Sequence, residues 1–528
     1  MNKRRKQDDE LLSERVTIRL SEEQKAFARK SHQKPECRNT ATDQSSNGEW
    51  KKMMKYWQGE PGTGKNYAME REVAQNFRHT KYVIVQPTIL LQNETYNNFK
   101  NMQIADHVRK LNSADNTNQL LSSIKSALSD STTRVVMISD VMFYRLPPET
   151  FKGMKVFLDD CVQFCDMRTV LIYEKDFDSL NHLYSSLYDV VEEYNEQFNL
   201  VSLKEITDGL SSDIKLYISD IASKSGGYNR LATMKQLTRP EPGKHTMQCF
   251  VWWRDLTCYV DADIDMTFMA NDFESTFMFK YHSHLFKREH YNTRTGIDRS
   301  RLDVKYFVPQ SALKYGMTKA FSTSEQGKKI LPAITRYIDA QQHKLYYTTN
   351  IGADLQGEQH KPNLRGINNM QHFDTCAFFS CMNASTDRLK ILKSLFQFTS
   401  HDVKQNMEYE TLNQFICRGI IRDRSSQKRM TIYVISEDQA RTIIPNPEFI
   451  DVSIQLKPIN KGGKPKGTKH KVSPLSDVQT AEFEKYKRQV KGRRAPCSFE
   501  AFRSKQQYST MQEDYVIKKF SNFLEKMK

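Results

Sequence analysis

The residues best suited to chemistry lie between Gly59 and Asn66, where the sequence reads GEPGTGKN. Glycines at this spacing let backbone N–H groups approach a polyphosphate, and Lys65 can reach the terminal phosphates. Asn66 stands where a serine or threonine usually gives its hydroxyl to Mg²⁺, so an amide oxygen would take that place. The motif predicts these phosphate-binding residues: Gly59, Gly62, Thr63, Gly64, Lys65 and Asn66. The alternative is a glycine-rich loop that binds no phosphate.

A pair of aspartates, Asp159 and Asp160, ends the apolar stretch KVFLDDC. A carboxylate at the carboxyl end of a sheet strand, beside a phosphate loop, is where a Mg²⁺ ligand is needed. We therefore expect Asp159 to hold Mg²⁺ through water and Asp160 to position the attacking water. A solvated turn is the alternative interpretation of the pair on its own.

A third candidate group lies in the stretch NQFICRGIIRD. Gln414, Arg418 and Arg422 are spaced four residues apart, which predicts that they share one face of a helix. Arginines on one face suit reaching across a cleft to the γ-phosphate of a nucleotide, and either Arg418 or Arg422 fits that role. An amphipathic surface helix with ordinary arginines is the alternative.

The elements that must position these residues alternate along the chain. From 83 to about 165, apolar strand-like stretches alternate with helical ones, which predicts a parallel sheet with crossover helices. A heptad-like pattern predicts a helical insertion at about 176–240, and a second alternating block follows it. The lysine-rich segment 451–475 contains glycine and proline and predicts a basic linker, and 476–528 predicts a small helical tail.

Composition narrows the class of protein. In the 528 residues, lysine and arginine exceed aspartate and glutamate by 79 to 63, a formal charge of +16 that favours a polyanionic partner such as nucleic acid. No apolar stretch is long enough to span a membrane, and the charged amino terminus does not fit a secretory signal. The nine cysteines include no Cys-x-x-Cys pair, which indicates free thiols in a reducing compartment.

The order of these pieces resembles that of superfamily 2 helicases and translocases. The stretch LSEEQ ends at Gln24 and is similar to the glutamine element that contacts adenine in these motors. The stretch QPTILLQNE, with Pro87 and Thr88, is similar to an element that contacts a nucleic-acid backbone, and Ser139 in MISD falls where another strand-contacting turn lies.

Further elements extend the resemblance over most of residues 16–450. The stretch MTFMAN resembles a Ser-Ala-Thr element that couples nucleotide and strand. In the second block, NLRGINNMQHFDTCAFF carries Arg365 and Gly366 and resembles an element that contacts both strand and nucleotide. Gln414 falls at the nucleotide-contacting glutamine of the last element.

The resemblance implies an α/β fold of two RecA-like parallel-sheet lobes, residues 46–290 and 295–450, with a helical insertion and a small helical tail. A basic segment 1–45 would carry the glutamine element. ATP and Mg²⁺ would bind between the lobes, with Lys65 on the β- and γ-phosphates and an arginine from the second lobe at the transition state.

The implied function is an ATP-dependent helicase or translocase that moves along or unwinds single-stranded or duplex DNA, or RNA. Divergence of the motifs favours replication or recombination of a phage or mobile element, with other replication proteins as partners. No membrane is expected, and the predicted compartment is the cytoplasm, that of the host for a phage protein.

Three alternatives stay open at this stage. Asp261, Asp263 and Asp265 in VDADID could lie on one strand face and hold two metals, which would make the chain a packaging-type ATPase with a nuclease. The substitutions at Asn66 and Asp160 also fit a non-catalytic DNA-binding protein with a decayed motor. The stretch RVTIRLSEEQKAFARK could be a ribbon-helix-helix arm that reads DNA.

Overall fold

A computed structural model describes much of the chain between Met53 and Glu525. The described residues are 53–113, 119–204, 221, 229–235, 239, 242–243, 245–291, 296–313, 318–364, 369–456, 475, 477–492, 497–505, 508 and 510–525. They belong to two compact units, Met1–Ile459 and Asn460–Lys528.

The strands formed by the described residues lie in the first unit. In chain order they are β1 (Met54–Gln58), β2 (Tyr82–Val85), β3 (Val108–Lys110), β4 (Val135–Ile138), β5 (Lys155–Asp159), β6 (Cys165–Tyr173), β7 (Tyr188–Glu193), β8 (Phe198–Leu203), β9 (Asn229–Met234), β10 (His245–Arg254), β11 (Asp265–Ala270), β12 (Phe286–Arg288), β13 (Leu302–Val308), β14 (Leu345–Thr349), β15 (Glu358–Gln359), β16 (Thr375–Phe379), β17 (Met430–Ser436) and β18 (Glu448–Phe449).

The α-helices of the described residues occur in both units. In chain order they are α1 (Lys65–Asn76), α2 (Ile89–Asn101), α3 (Leu120–Ser129), α4 (Asp140–Phe143), α5 (Phe177–Ser186), α6 (Thr257–Asp261), α7 (Phe277–His282), α8 (Lys319–Thr323), α9 (Glu325–Asp339), α10 (Thr386–Phe396), α11 (Ser400–Lys404), α12 (Glu410–Ile416), α13 (Glu437–Ile443), α14 (Asp477–Lys491), α15 (Phe499–Lys505) and α16 (Thr510–Glu525).

The first lobe is built on a seven-stranded sheet in the order β12-β1-β11-β5-β2-β4-β3. Every strand pair in it is parallel. The inner strands β2 and β4 are buried along their whole length, as continuous apolar stretches must be when helices cover both faces of a sheet. The predicted parallel sheet with crossover helices is confirmed, and its carboxyl edge collects the loops that follow β1, β2, β4, β5 and β11.

The second lobe repeats this architecture with a six-stranded sheet in the order β15-β14-β16-β17-β13-β18. All of its strand pairs are parallel too. One apolar core lies on each face, the first around Ile334 of α9 and the second around Phe415 of α12. The predicted α/β fold with two parallel-sheet lobes is therefore confirmed.

The helical insertion predicted for 176–240 is wrong in character. Helix α5 accounts for the first part of the heptad-like pattern, but the described residues after it include strands β7, β8 and β9. These strands belong to an antiparallel sheet in the order β6-β10-β9-β8-β7, whose other two strands flank the segment. Strands β7 and β8 pair because the chain turns at Asn195, whose Oδ1 accepts the backbone N–H groups of Gln197 and Phe198 at 2.9 and 3.0 Å. The valines and the alternating polar residues of β7 favour a strand. A search for helical periodicity does not detect this preference.

The antiparallel sheet packs on helix α10 of the second lobe. The Tyr194 hydroxyl donates to the Leu395 carbonyl at 3.2 Å, and the Asn195 amide donates to the Ser394 carbonyl at 3.0 Å. Phe396 lies edge-on to the rings of Phe164 and Trp253, at centroid distances of 5.1 and 5.2 Å. The antiparallel sheet and Phe164, the residue before it, therefore contact the second lobe through hydrogen bonds and aromatic rings.

Replacing Phe396 with alanine should destabilise the first unit by about 3–5 kcal/mol, because it leaves a cavity between the two lobes. Urea unfolding monitored by tryptophan fluorescence measures the effect, and we expect a lower unfolding midpoint for this variant. Lys390→Ala on the same helix is the control, since that side chain is 75% exposed and should change stability by less than about 0.5 kcal/mol. Equal midpoints for the two variants would contradict the packing described.

The second unit contains the predicted helical tail, α14 to α16. Its core consists of Leu475, Phe483, Tyr486, Phe502, Val516 and Phe520. The rings of Tyr486 and Phe502 stack at 4.2 Å, and those of Phe499 and Phe520 at 3.9 Å. These aromatic contacts give the three short helices a common core.

Candidate functional site

The loop after β1 has the backbone that a phosphate loop requires. Gly62 and Gly64 take positive φ values of 87° and 88°, a conformation in which a side chain would be strained. Gly59 is needed for a different reason, since a Cβ there would lie 2.3 Å from the Tyr291 hydroxyl. Thr63 closes the loop, because its Oγ1 donates to the Glu60 carbonyl at 2.8 Å.

Lys65 begins helix α1 and turns back into the loop. Its ammonium donates to the carbonyls of Gly59 and Glu60, the second at 3.4 Å. Burial lowers the pKa of Lys65, and the negative charges of Asp159 and Asp160 act against that lowering. The Lys65 ammonium thus contacts two backbone carbonyls of the loop and interacts electrostatically with the Asp159 and Asp160 carboxylates.

Asp159 ends strand β5 within reach of the loop. Its Oδ2 accepts the Asn66 amide at 2.9 Å and the Gln86 amide at 3.0 Å. Burial raises the pKa of Asp159 to about 6, with the neighbouring Asp160 charge adding to the effect. A buried carboxylate held by neutral amides gains from a cation, so the donor set fits a divalent metal.

Asp160 follows in the left-handed region, with φ of 58°. Its backbone N–H donates to the Met269 carbonyl of β11 at 2.8 Å, which fixes the turn. The Gln414 amide of the second lobe donates to Asp160 Oδ1 at 3.5 Å. The carboxyl edge of the first sheet therefore meets helix α12 at this residue.

The prediction that Gln414, Arg418 and Arg422 share one helix is wrong. Helix α12 ends at Ile416, and Arg422 lies in a separate 3-10 turn, Ile420–Arg422. Gly419 lies between the two, and a Cβ there would lie 2.4 Å from the Met430 methyl and 3.0 Å from the Phe373 carbonyl. After the helix has ended, the Ile420 N–H donates to the Phe373 carbonyl at 2.8 Å instead of to a helical carbonyl.

The two arginines have different surroundings. Burial, together with the like charge of Arg422, lowers the pKa of Arg418, and Asp160 acts in the opposite direction. Burial also lowers the pKa of Arg422, with Glu94 of helix α2 as the carboxylate that opposes it. Arg418 is thus the arginine within electrostatic reach of the Asp159–Asp160 pair.

Sequence reasoning missed a carboxylate of the second lobe. Glu410 opens helix α12, and its Oε2 accepts the Asn271 amide of the first lobe at 2.9 Å. The Gln414 amide donates to Glu410 Oε1 at 2.8 Å. Burial raises the pKa of Glu410 to about 7. The i, i+4 spacing of Glu410 and Gln414 was the only sequence signal for it.

Two arginines that bind the loop were missed as well. Arg299, between the lobes, pairs with Glu60 at 2.8 Å and donates to the Asn413 side chain at 3.2 Å. Arg424 donates to the Gly62 carbonyl. The loop between β1 and α1 is therefore contacted from the second lobe by two cations that no motif marks.

The proposed strand-contacting residues of the first lobe begin helices. Thr88 caps α2 by accepting the Leu91 N–H at 3.2 Å, and Ser139 caps α4 by accepting the Met142 N–H at 3.3 Å. Pro87 precedes the first of these caps. Because β2 and β4 pair directly, the two caps lie side by side on the carboxyl edge of the sheet.

Three predicted site residues, Gln24, Arg365 and Gly366, lie outside the described residues, as does most of the basic linker. The ribbon-helix-helix alternative also falls there. Within the described parts of the chain, no disulfide joins the eight cysteines, which agrees with the predicted thiols.

The alternating aspartates of the nuclease alternative do not share a strand face. Asp261 ends helix α6, Asp263 lies in the left-handed region with φ of 56°, and Asp265 begins β11. Asp265 pairs with Lys55 at 3.5 Å, at the amino end of its strand. Among the described residues there is no cluster of three or more His, Cys, Asp or Glu side chains suited to a metal.

No helix in the described parts of the chain has both the length and the apolarity to cross a bilayer.

No protein-family profile matches the sequence, and no curated protein matches it. Similar solved structures include Xpd4 of S. tokodaii, at 10% identity and a TM-score of 0.38 over 75% of this chain and 96% of that one. The DEAD-box helicase Mss116, bound to ssRNA and UDP-BeF, matches at 10% identity and 0.33 over 84% of this chain and 80% of that one. RecG, bound to a three-way DNA junction, matches at 13% identity and a TM-score of 0.28 over 84% of this chain and 47% of that one. The predicted resemblance to superfamily 2 helicases implied two parallel-sheet lobes, and the chain has two such lobes.

Proposed function

We propose that this chain is an ATP-driven nucleic-acid motor, a helicase or translocase whose two lobes close on ATP and a single strand. The observation that carries the proposal is the contact between the lobes at Asp160, whose Oδ1 accepts the Gln414 amide at 3.5 Å. The charge of Asp160 also acts on Lys65 of the first lobe and on Arg418 of the second. Phosphoryl transfer needs positioning and charge stabilisation more than covalent chemistry, and these are the groups that supply them.

Each residue then has a role. The loop Gly59–Gly64 and Lys65 bind the β- and γ-phosphates, and Asp160 orients the attacking water. Asp159 and the Asn66 amide oxygen hold Mg²⁺, which neutralises charge on the phosphate oxygens when bound. Asn66 also donates to Asp159 at 2.9 Å, so the residue that replaces the usual hydroxyl supports the carboxylate that holds the metal. Arg418 stabilises the transition state.

The strand would cross the carboxyl edge of the first sheet over Pro87, Thr88 and Ser139, with Arg365 and Gly366 as its contacts in the second lobe. The amino end of the 13-residue helix α2 at Thr88 suits a phosphate group. The formal charge of +16 supports the same partner.

The test is Mg²⁺-dependent ATP hydrolysis by the purified protein, alone and with single-stranded DNA, duplex DNA or single-stranded RNA. We expect stimulation by one single strand, which also identifies the track. Displacement of a labelled strand from a partial duplex separates a helicase from a translocase. Nucleotide binding without hydrolysis would favour the decayed-motor alternative and contradict the proposal.

Replacing the lysines of 457–471 with glutamine should weaken strand binding and flatten its dependence on salt. Each neutralised phosphate contact removes about 0.7 from the slope of log affinity against log salt for a single strand. Anisotropy of a labelled strand at several salt concentrations measures the slope. Basal ATP hydrolysis is the control and should not change, whereas an unchanged slope would rule out a contact by this segment.

A further inference from the structure

Glu410 occupies an unusual position for a carboxylate of the second lobe. It directly follows a π-helical turn, Gln405–Tyr409, which offsets helix α12 from α11. Such turns are frequent at functional sites because they redirect the side chains that follow. Glu410 is partly exposed in the cleft, and both of its hydrogen-bond donors, Asn271 and Gln414, are neutral amides.

A chain of hydrogen bonds connects Glu410 to the residues of phosphate chemistry. The Gln414 amide that donates to Glu410 at 2.8 Å also donates to Asp160 Oδ1 at 3.5 Å. The charge of Glu410 acts on Lys65 as well. The carboxylates of Asp160 in the first lobe and Glu410 in the second therefore lie near each other, since both accept from the Gln414 amide.

Glu408, on the same segment, provides a comparison, because its contacts are those of a glutamate with a structural role only. Its side chain is fully buried, and it accepts the Met382 backbone N–H at 2.9 Å and the Gln439 amide at 3.1 Å. These contacts all lie within the second lobe. Glu410, two residues later, is only partly buried and instead accepts the Asn271 amide of the first lobe.

We propose that Glu410 is a catalytic residue that accepts the proton of the attacking water from across the cleft, while Asp160 orients that water. The inference rests on the proposed function and names a further residue of the same site. The side chain of Asp160, directly after β5, is one methylene shorter than that of a glutamate. Glu410 brings a carboxylate on a longer side chain from the other lobe. A pKa of about 7, raised by burial, is near the value at which a general base works best.

The step balances as a simple hydrolysis. The water oxygen bonds to the γ-phosphorus, the bond from that phosphorus to the bridging oxygen breaks, and ADP leaves with the electron pair. The water proton moves to a carboxylate oxygen of Glu410 and from there to solvent. Because the base belongs to the second lobe, hydrolysis requires the closed lobes, which links turnover to strand binding.

The test compares Glu410→Gln with Glu408→Gln in the full chain. With the strand that stimulates the wild type, we expect Glu410→Gln to lower kcat about 100-fold while KM for ATP changes less than about threefold. Glu408→Gln should stay within about threefold of the wild-type kcat. Glu410→Asp should recover part of the lost rate.

A second readout separates chemistry from lobe contact. A catalytic Glu410 predicts that Glu410→Gln binds AMPPNP like the wild type but loses at least about tenfold in affinity for ADP–aluminium fluoride, which imitates the transition state. Wild-type kcat in Glu410→Gln, or an equal kcat loss in Asn271→Ala, which removes only the contact between the lobes, would overturn the inference. A wild type that hydrolyses no ATP would overturn the proposed function with it.

Discussion

Replacing Lys65 with alanine should abolish ATP turnover, with kcat at least about 100-fold below the wild type. The ammonium is held by the Gly59 and Glu60 carbonyls beside Asp159, so it lies where the β- and γ-phosphates would be bound. A methyl group leaves those phosphate charges unbalanced in a partly buried site. Steady-state hydrolysis with the stimulating strand gives the value.

The variant should still bind the strand, since the predicted strand contacts lie on other loops of the sheet edge. Lys152→Ala is the matched control, because this lysine is exposed on the same lobe away from the phosphate loop. Hydrolysis by Lys65→Ala at the rate of Lys152→Ala would show that the loop does not bind the reacting phosphates.

The second large effect is expected at Arg418. Arg418→Ala should lower kcat about 1,000-fold, the range measured for arginines that stabilise a transferring phosphoryl group. Arg422→Ala should cost less than about tenfold, because the charge of Asp160 acts on Arg418, whereas the carboxylate that acts on Arg422 is Glu94 of helix α2. Both variants are measured at saturating ATP and strand.

The comparison decides between two residues that the sequence left equivalent. Arg418→Lys should restore little activity, since a point charge does not replace a planar guanidinium at a phosphoryl group. A larger loss in Arg422→Ala than in Arg418→Ala would reverse the assignment.

Much of the fold was predictable because several of its strands stand out in the sequence as continuous apolar stretches. The stretches around β2, β4 and β5 are continuous apolar sequences that only a sheet covered on both faces accommodates. The insertion was mispredicted because a helical period through α5 continues by chance into β7, whose partner β8 lies beyond a turn. Strand pairing depends on that partner, whereas a helix depends on its own sequence.

The candidate site divides in the same way. Lys65, Asp159 and Gln414 could be proposed from the sequence because local motifs mark them. Glu410 could not, because its position depends on Asn271, a residue far away in sequence whose amide donates to it at 2.9 Å. The path of the chain after helix α12 was missed for a similar reason, since the hydrogen bond from Ile420 to the Phe373 carbonyl is a tertiary contact.

The central claim is that nucleotide and strand bind the same pair of lobes and are coupled. The most direct measurement is the affinity for a labelled single strand with Mg²⁺ and AMPPNP, with Mg²⁺ and ADP, and without nucleotide. Coupling through lobe closure predicts an affinity that differs by about tenfold between AMPPNP and ADP, a difference that Arg418→Ala should remove. Equal strand affinity in all three nucleotide states would contradict a motor.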